Sequence, residues 1–191
     1  MTRIISGSAR GRKIAVPPSG TRPTADRARE GLFSSLQVRF GFQDERVLDL
    51  FAGSGALGLE AASRGAAEVT LVDDNHRAVE TIQANAKVVG HPQVRVVEAK
   101  ASTFLQGAKH GHYTMVLADP PYELSDDAAN EIVAALIPLL AQDAVVVMER
   151  HTNSAETDWP EGFEPTGQKL KKRTFGIARF DMAIWRGTAE S

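Results

Sequence analysis

The chain has 191 residues, of which 42% are hydrophobic and 24% charged, a balance that suits one soluble globular domain with a full core. It contains no cysteine, which excludes disulfides, thiolate metal sites and a cysteine nucleophile. The net charge of −2 conceals an asymmetry: Arg3, Arg10, Arg12, Lys13, Arg22, Arg27 and Arg29 stand against only Asp26 and Glu30 at the start, and "KLKKR" at 169–173 follows a strongly acidic stretch.

The Gly/Pro-rich start, with Gly7, Gly11, Pro17, Pro18, Gly20 and Pro23, reads as an arm. Its charges are not followed by an apolar run, so it does not read as a secretory signal. The longest apolar run, "IVAALIPLLA" at 132–141, is too short to span a bilayer and contains Pro138. A soluble cytoplasmic protein is the expectation. Thr24 is placed to cap a helix, "ADRAREGLFSSLQ", whose Leu32, Phe33 and Leu36 face a core.

From residue 46 strands and helices alternate. "RVLDLF" (46–51) is a short buried strand ending in a Gly-rich turn, "ALGLEAASR" opens a helix that Gly65 ends, and "EVTLVD" (68–73) is the next strand. Val79, Ile82, Ala86 and Val89 recur at helical spacing, with Gly90 as the cap. "VRVVE" (94–98) and "YTMVLAD" (113–119) are further strands. Ser125 is placed to cap a helix that buries Ile132, Val133, Leu136, Ile137 and Leu140, and "AVVVME" (144–149) is a strand covered on both faces. The tail reads as two extended segments that meet near Arg173–Gly176, an antiparallel pair at one edge of a mostly parallel sheet. Trp159 and Trp185 read as packing residues.

"GSGALG" at 53–58 satisfies the G-x-G-x-x-G pattern of dinucleotide folds, and Asp73 stands where such a fold places a ribose-binding acid. Asp49, just before the glycines, would face a pyrophosphate unfavourably. It suits a ligand with an ammonium group, such as S-adenosylmethionine, or else it caps the loop locally. The "DPPY" turn, 119–122, separates the two ligands further. Two prolines make a stiff turn and Pro120 donates no amide, which leaves carbonyls free to accept. An Asp followed by Pro-Pro and an aromatic resembles the signature of methyltransferases that act on planar amino groups. Asp119 and the Pro120 carbonyl can take the two amine protons, and Tyr122 can stack on a flipped base.

Taken together, "RIISGSARGRKIAVPPSGTRPTADRAREGLFSSL", "VLDLFAGSGALGLEAASRGA", "DPPY" and "KKRTFGIARF" resemble the RsmD-type family of bacterial 16S rRNA (guanine-N2)-methyltransferases, over nearly the whole chain. The resemblance implies a Rossmann-like α/β fold of class I with a mostly parallel seven-stranded sheet, residues 1–23 as a basic RNA-binding arm and 24–191 as the catalytic domain. It implies S-adenosylmethionine as methyl donor, S-adenosylhomocysteine as product, no metal, and 16S rRNA in a 30S subunit or its precursor as partner of a monomer. The expected catalytic residues are Asp119, Pro120 and Tyr122. The expected cofactor residues are Asp49, Phe51, Gly53, Ser54, Gly55, Asp73, Ala101 and Asp119. Arg10, Arg12, Lys13, Arg22, Arg29, Lys171, Lys172 and Arg173 are the expected RNA contacts. Relatives usually carry an acid where this chain has Lys100, so adenine recognition falls to a backbone group at Ala101, or cofactor affinity is lower. The rival readings are a DNA adenine-N6 methyltransferase, a non-catalytic RNA-binding assembly factor and, third, an NAD dehydrogenase.

Overall fold

A computed structural model of the chain describes residues 1–17 and 23–188. A two-stranded hairpin, β1 (Thr2–Arg3) and β2 (Lys13–Ile14), precedes α1 (Pro23–Arg39). Then follow β3 (Arg46–Leu50), α2 (Ala56–Ser63), β4 (Glu68–Asp73), α3 (His76–Val89), β5 (Val94–Glu98), α4 (Ala101–Gly107), β6 (Tyr113–Ala118) and α5 (Asp126–Leu136). The chain ends with β7 (Leu140–His151), β8 (Phe163–Pro165), β9 (Thr174–Phe175) and β10 (Ala178–Trp185). The sheet order is β5-β4-β3-β6-β7-β10-β8, with β9 paired to β10 off this path. β3 to β7 run parallel, and β10 is antiparallel to β7, β8 and β9.

Alternation along each strand divides the core between the two sheet faces. Val47, Leu71, Met115, Leu117, Val145 and Val147 pack with Leu32, Phe33 and Leu36 of α1, Leu59 of α2 and Ile82 of α3. Leu48, Leu50, Val72, Val116, Val146 and Met148 pack on the other face with Phe104 and Leu105 of α4 and Val133 and Leu136 of α5. Gly90, at φ 73, receives the end of α3, and Ser125 caps α5 by accepting the Ala128 amide. Phe163 meets Trp159 at a tilt and Trp185 edge-on.

Several expectations need correction. α1 begins at Pro23, so Thr24 falls inside the helix rather than ahead of it. α4 was not expected; with only Phe104 and Leu105 buried, it is too short to display a helical period. Leu140 opens β7 instead of closing α5, because a 3₁₀ turn at Ile137–Leu139, containing Pro138, ends the helix first. Ile132 and Ile137 are only half-buried. The tail holds three strands, not two: β10 lies between β7 and β8, and β9 shares its outer edge.

Residues 1–17 are tied to the helices beneath them. Glu60 of α2, 0% exposed, accepts the Ile5 amide at 2.7 Å, the Ser6 amide at 3.1 Å and the Arg64 Nε at 3.1 Å. Ser63 accepts the Ala9 amide and donates to the Ser6 carbonyl. Asn85 of α3 accepts the Ala15 amide and donates to the carbonyls of Ala15 and Ser54. Gly7, at φ 91, runs so close to the Ser63 carbonyl that no side chain fits between them.

Replacing Glu60 with Ala strips two arm amides of their acceptor and removes the Arg64 counter-charge. The expected cost is about 2–4 kcal/mol in denaturant unfolding, with hydrogen exchange at Ile5 and Ser6 accelerated beyond that of β3. Unchanged protection at these amides would show that the arm is held by other contacts.

Candidate active site at the carboxyl ends of the strands

Residues 47, 71, 115 and 145 face the same side of the sheet, and period two carries that face to Asp49, Asp73, Asp119 and Glu149. Four adjacent strands, β4, β3, β6 and β7, therefore present carboxylates at or near their carboxyl ends, on the side covered by α1 and α2. The chain departs from β3 towards β4 on one side and returns to β6 on the other. Open α/β sheets bind ligands in the crevice at such a switch.

Asp49 is 1% exposed, and its Oδ2 accepts the Gly58 amide at 2.8 Å. α2 has no side-chain N-cap, since Gly55 occupies that place at φ 82. A carboxylate from the strand below thus serves one of the amides a helix start leaves unpaired. Its Oδ1 is buried with no hydrogen-bond partner among the described residues. Burial pushes the Asp49 carboxyl up to about 8, against the Gly58 hydrogen bond, which lowers it, and with Asp73, which raises it. The reading of Asp49 as a local cap thus has its counterpart in Oδ2, which holds the loop.

The loop above it is shaped by backbone sterics. Phe51 sits at φ 62, unusual for an aromatic residue, and Gly53 at φ 59. A Cβ on Gly53 would meet nothing within 4 Å, whereas one on Gly58 would lie 2.8 Å from Leu71 and 3.0 Å from Asp49. Gly53 borders open space and Gly58 lets α2 settle on the sheet. Asp73 Oδ2 accepts the Gly53 amide and Oδ1 the Asn75 amide, both at 2.9 Å. Asn75, rather than the exposed Asp74, caps α3.

Two cavities, of about 210 and 470 Å³, adjoin at Ala25, Phe51, Gly53, Asp119 and Glu149. The smaller also takes in Ser54 and Arg29; the larger takes in Asp73, Pro120, Tyr122 and Phe175. Burial, and then the neighbouring Glu149 carboxyl, push Asp119 well above the usual carboxylate range. The Tyr122 hydroxyl donates to Glu149 Oε1 at 3.2 Å, and its ring stands edge-on to His151 at 5.2 Å. Asp49, Gly55 and Ala101 line neither cavity. Ala101 opens α4 and packs on the opposite core, and Lys100 is exposed ahead of it. Glu149, which the sequence reading passed over, is the residue the site adds. Its signal was its place at the end of a predicted parallel strand. Among the described residues, no group of three or more His, Cys, Asp or Glu side chains is arranged to hold a metal ion.

The basic residues fall into two groups. Arg10, Lys13, Lys171 and Lys172 are exposed. Arg12 donates to the Val88 and Val89 carbonyls at the end of α3. Arg29, 6% exposed, donates to the Thr2 hydroxyl and the Arg3 carbonyl, and burial lowers its pKa. Arg173 bridges Asp181 and Glu156 at 2.7 Å each. Arg22 lies outside the described residues.

The parallel sheet with its antiparallel β10, and the glycine loop and Asp-Pro-Pro-Tyr turn at the strand ends, define a Rossmann-like methyltransferase of class I. Within that class the chain belongs to the RsmD-type family: residues 2–183 match the family model described as Conserved hypothetical protein 95. It is 45% identical over 121 residues to Ribosomal RNA small subunit methyltransferase D of Escherichia coli K12, a match covering 63% of this chain and 60% of that one. The protein of the same name from Haemophilus influenzae is 34% identical over 184 residues, 93% of this chain and 91% of that one. The solved structure of Escherichia coli yhhF superposes with a TM-score of 0.81 at 33% identity, covering 98% and 99% of the two chains.

The raised Asp49 pKa gives a pH test. The unfolded chain releases this proton near 3.8 and the folded one only near 8, so folding stability falls as pH rises between those values. Asp49→Asn keeps an acceptor for Gly58 without the charge. Its unfolding free energy is expected to lose less than the wild type's between pH 5 and 8, with a slope difference of up to about 1.4 kcal/mol per pH unit. Parallel curves for the two proteins would refute an ionisable, desolvated Asp49.

Proposed function

We propose that this protein transfers a methyl group from S-adenosylmethionine to the exocyclic N2 amine of a guanine in small-subunit rRNA, within a 30S particle or its precursor. The names of the relatives support rRNA as the substrate. The observation that carries the reading is the Asp119-Pro120-Pro121-Tyr122 turn, which lines the larger cavity together with Gly53 and Asp73.

The residues present fit this cofactor. Asp49, buried beneath the loop with an Oδ1 that has no partner among the described residues, favours an ammonium group by its charge once ionised, and the open face of Gly53 admits a close-fitting ligand. Asp73 is half-buried at the cavity wall, placed for ribose hydroxyls. When bound, S-adenosylmethionine supplies an electrophilic methyl on a sulfonium.

The protein's part is to present the amine. An exocyclic base amine is a poor nucleophile, because its lone pair is delocalised into the ring. Asp119 Oδ and the Pro120 carbonyl accept its two hydrogens and turn the lone pair away from them, towards the methyl. Asp119 then holds the proton that the methylated nitrogen sheds. Tyr122 stacks on the extruded base. Rate comes from this positioning and polarisation. The exposed cations Arg10, Lys13, Lys171 and Lys172 meet RNA phosphates, which position the substrate without specifying it.

The test combines labelled methyl donor with naked 16S rRNA, 30S particles or duplex DNA, followed by nucleoside analysis. N2-methylguanosine is the expected product, whereas N6-methyladenine or no transfer would overturn the reading. Asp119→Ala is expected to lower the single-turnover rate by at least about a hundredfold, the scale of losing one preorganised polar partner, without lowering the melting temperature.

A further inference from the structure

Of the four carboxylates that β4, β3, β6 and β7 present on one face, Glu149 alone has been given no role. Ala118 of β6 is paired with Met148 of β7, so Asp119, just past β6, and Glu149, still within β7, stand side by side on one face. Both are half-buried, and both line the smaller and the larger cavity. Asp119 is pushed up by burial, by the Glu149 carboxyl through both its charge and a hydrogen bond, and by Asp49. A ligand that offers two adjacent N–H donors can replace that carboxyl–carboxyl hydrogen bond and give each carboxylate a donor of its own.

A base enters such a site by its Watson–Crick edge. On guanine the N2 amine and the N1–H are adjacent, so two neighbouring nitrogens both offer hydrogens. On adenine the N6 amine is adjacent to N1, which carries a lone pair. With Asp119 on the amine, the neighbouring ring position meets the neighbouring carboxylate. We propose that Glu149 accepts the N1–H of the target guanine and thereby selects guanine against bases whose N1 is an acceptor. This rests on the proposed transfer to guanine N2, and it makes Glu149 a specificity residue that touches the substrate. The Tyr122 hydroxyl, bonded to Glu149 Oε1, holds the carboxylate in place.

The experiment uses the full chain and 30S particles reconstituted with either guanosine or 2-aminopurine riboside at the methylated position. 2-Aminopurine keeps the exocyclic amine but has an N1 lone pair where guanine has N1–H. The wild type is expected to prefer guanosine in kcat/KM by on the order of 10- to 100-fold. Glu149→Gln, whose amide can donate to a lone pair, and Glu149→Ala are both expected to collapse this ratio towards one, with the dissociation constant for S-adenosylhomocysteine unchanged by calorimetry. An unchanged ratio in both variants overturns the proposal. So does a loss of S-adenosylhomocysteine binding in the variants. A wild type that places no methyl on guanosine N2 removes the parent reading and this one together. A wild type that methylates guanosine while the variants keep its preference removes this one alone.

Discussion

The close approach of α2 to β3 is the contact on which the rest of the site depends. Gly58 permits it: a Cβ there would press on Leu71 and on Asp49, the residue that accepts the Gly58 amide. With the helix start pinned to the strand beneath, the intervening loop must turn within a few residues. It does so through left-handed conformations at Phe51, Gly53 and Gly55. That turn leaves an open surface over Gly53 and sets Asp73 Oδ2 against the Gly53 amide. The six residues 53–58 match a dinucleotide fingerprint letter for letter, and the last glycine serves the same packing role here as in that motif. What differs is the charge around it.

That charge is acidic. Burial raises the carboxyls of Asp49 and Asp119, helped by repulsion from Asp73 on the first and from Glu149 and Asp49 on the second. Such a cluster weakens the fold once ionised, so stability has to come from elsewhere. Two apolar layers supply it, one on each face of the sheet. Ion pairs are concentrated at the opposite chemistry, along β10, where Asp181 is bonded by Arg179, Arg173 and Thr157, and its carboxyl is lowered by those bonds despite its burial. The molecule thus keeps paired charge in its scaffold and desolvated carboxyls at the strand ends, an arrangement that marks candidate functional sites.

What was legible in the sequence was local. The alternation of β-branched runs with helical spacing, the Gly90 and Ser125 caps and the Pro-Pro turn all act within a few residues, and each is where it was read. What was not legible depends on partners distant in the chain. α4 is too short for periodicity, and the place of β10 between β7 and β8 is a choice of sheet edge that no local pattern encodes. The basic residues show this most sharply. Arg12, Arg29 and Arg173 look alike in sequence to Arg10 and Lys171, yet the first three are engaged by helix carbonyls, arm groups and carboxylates. Glu149 was hidden in the same way, since its meaning comes from the strand beside it.

The arm and the glycine loop are also not independent. Asn85, 2% exposed, holds the Ala15 amide and carbonyl with one side chain and donates to the Ser54 carbonyl with the same amide nitrogen. A buried amide with three such bonds tolerates little displacement, because any unmade bond leaves a polar group stranded. Arg12 fastens the same arm to the end of the same helix. A force applied by phosphates at Arg10 and Lys13 is therefore borne by α3 and, through Asn85, by Ser54 at the wall of the smaller cavity. The proposed RNA surface and the proposed donor loop are two ends of one hydrogen-bonded unit, so on that reading RNA binding and donor binding are expected to be energetically coupled rather than additive.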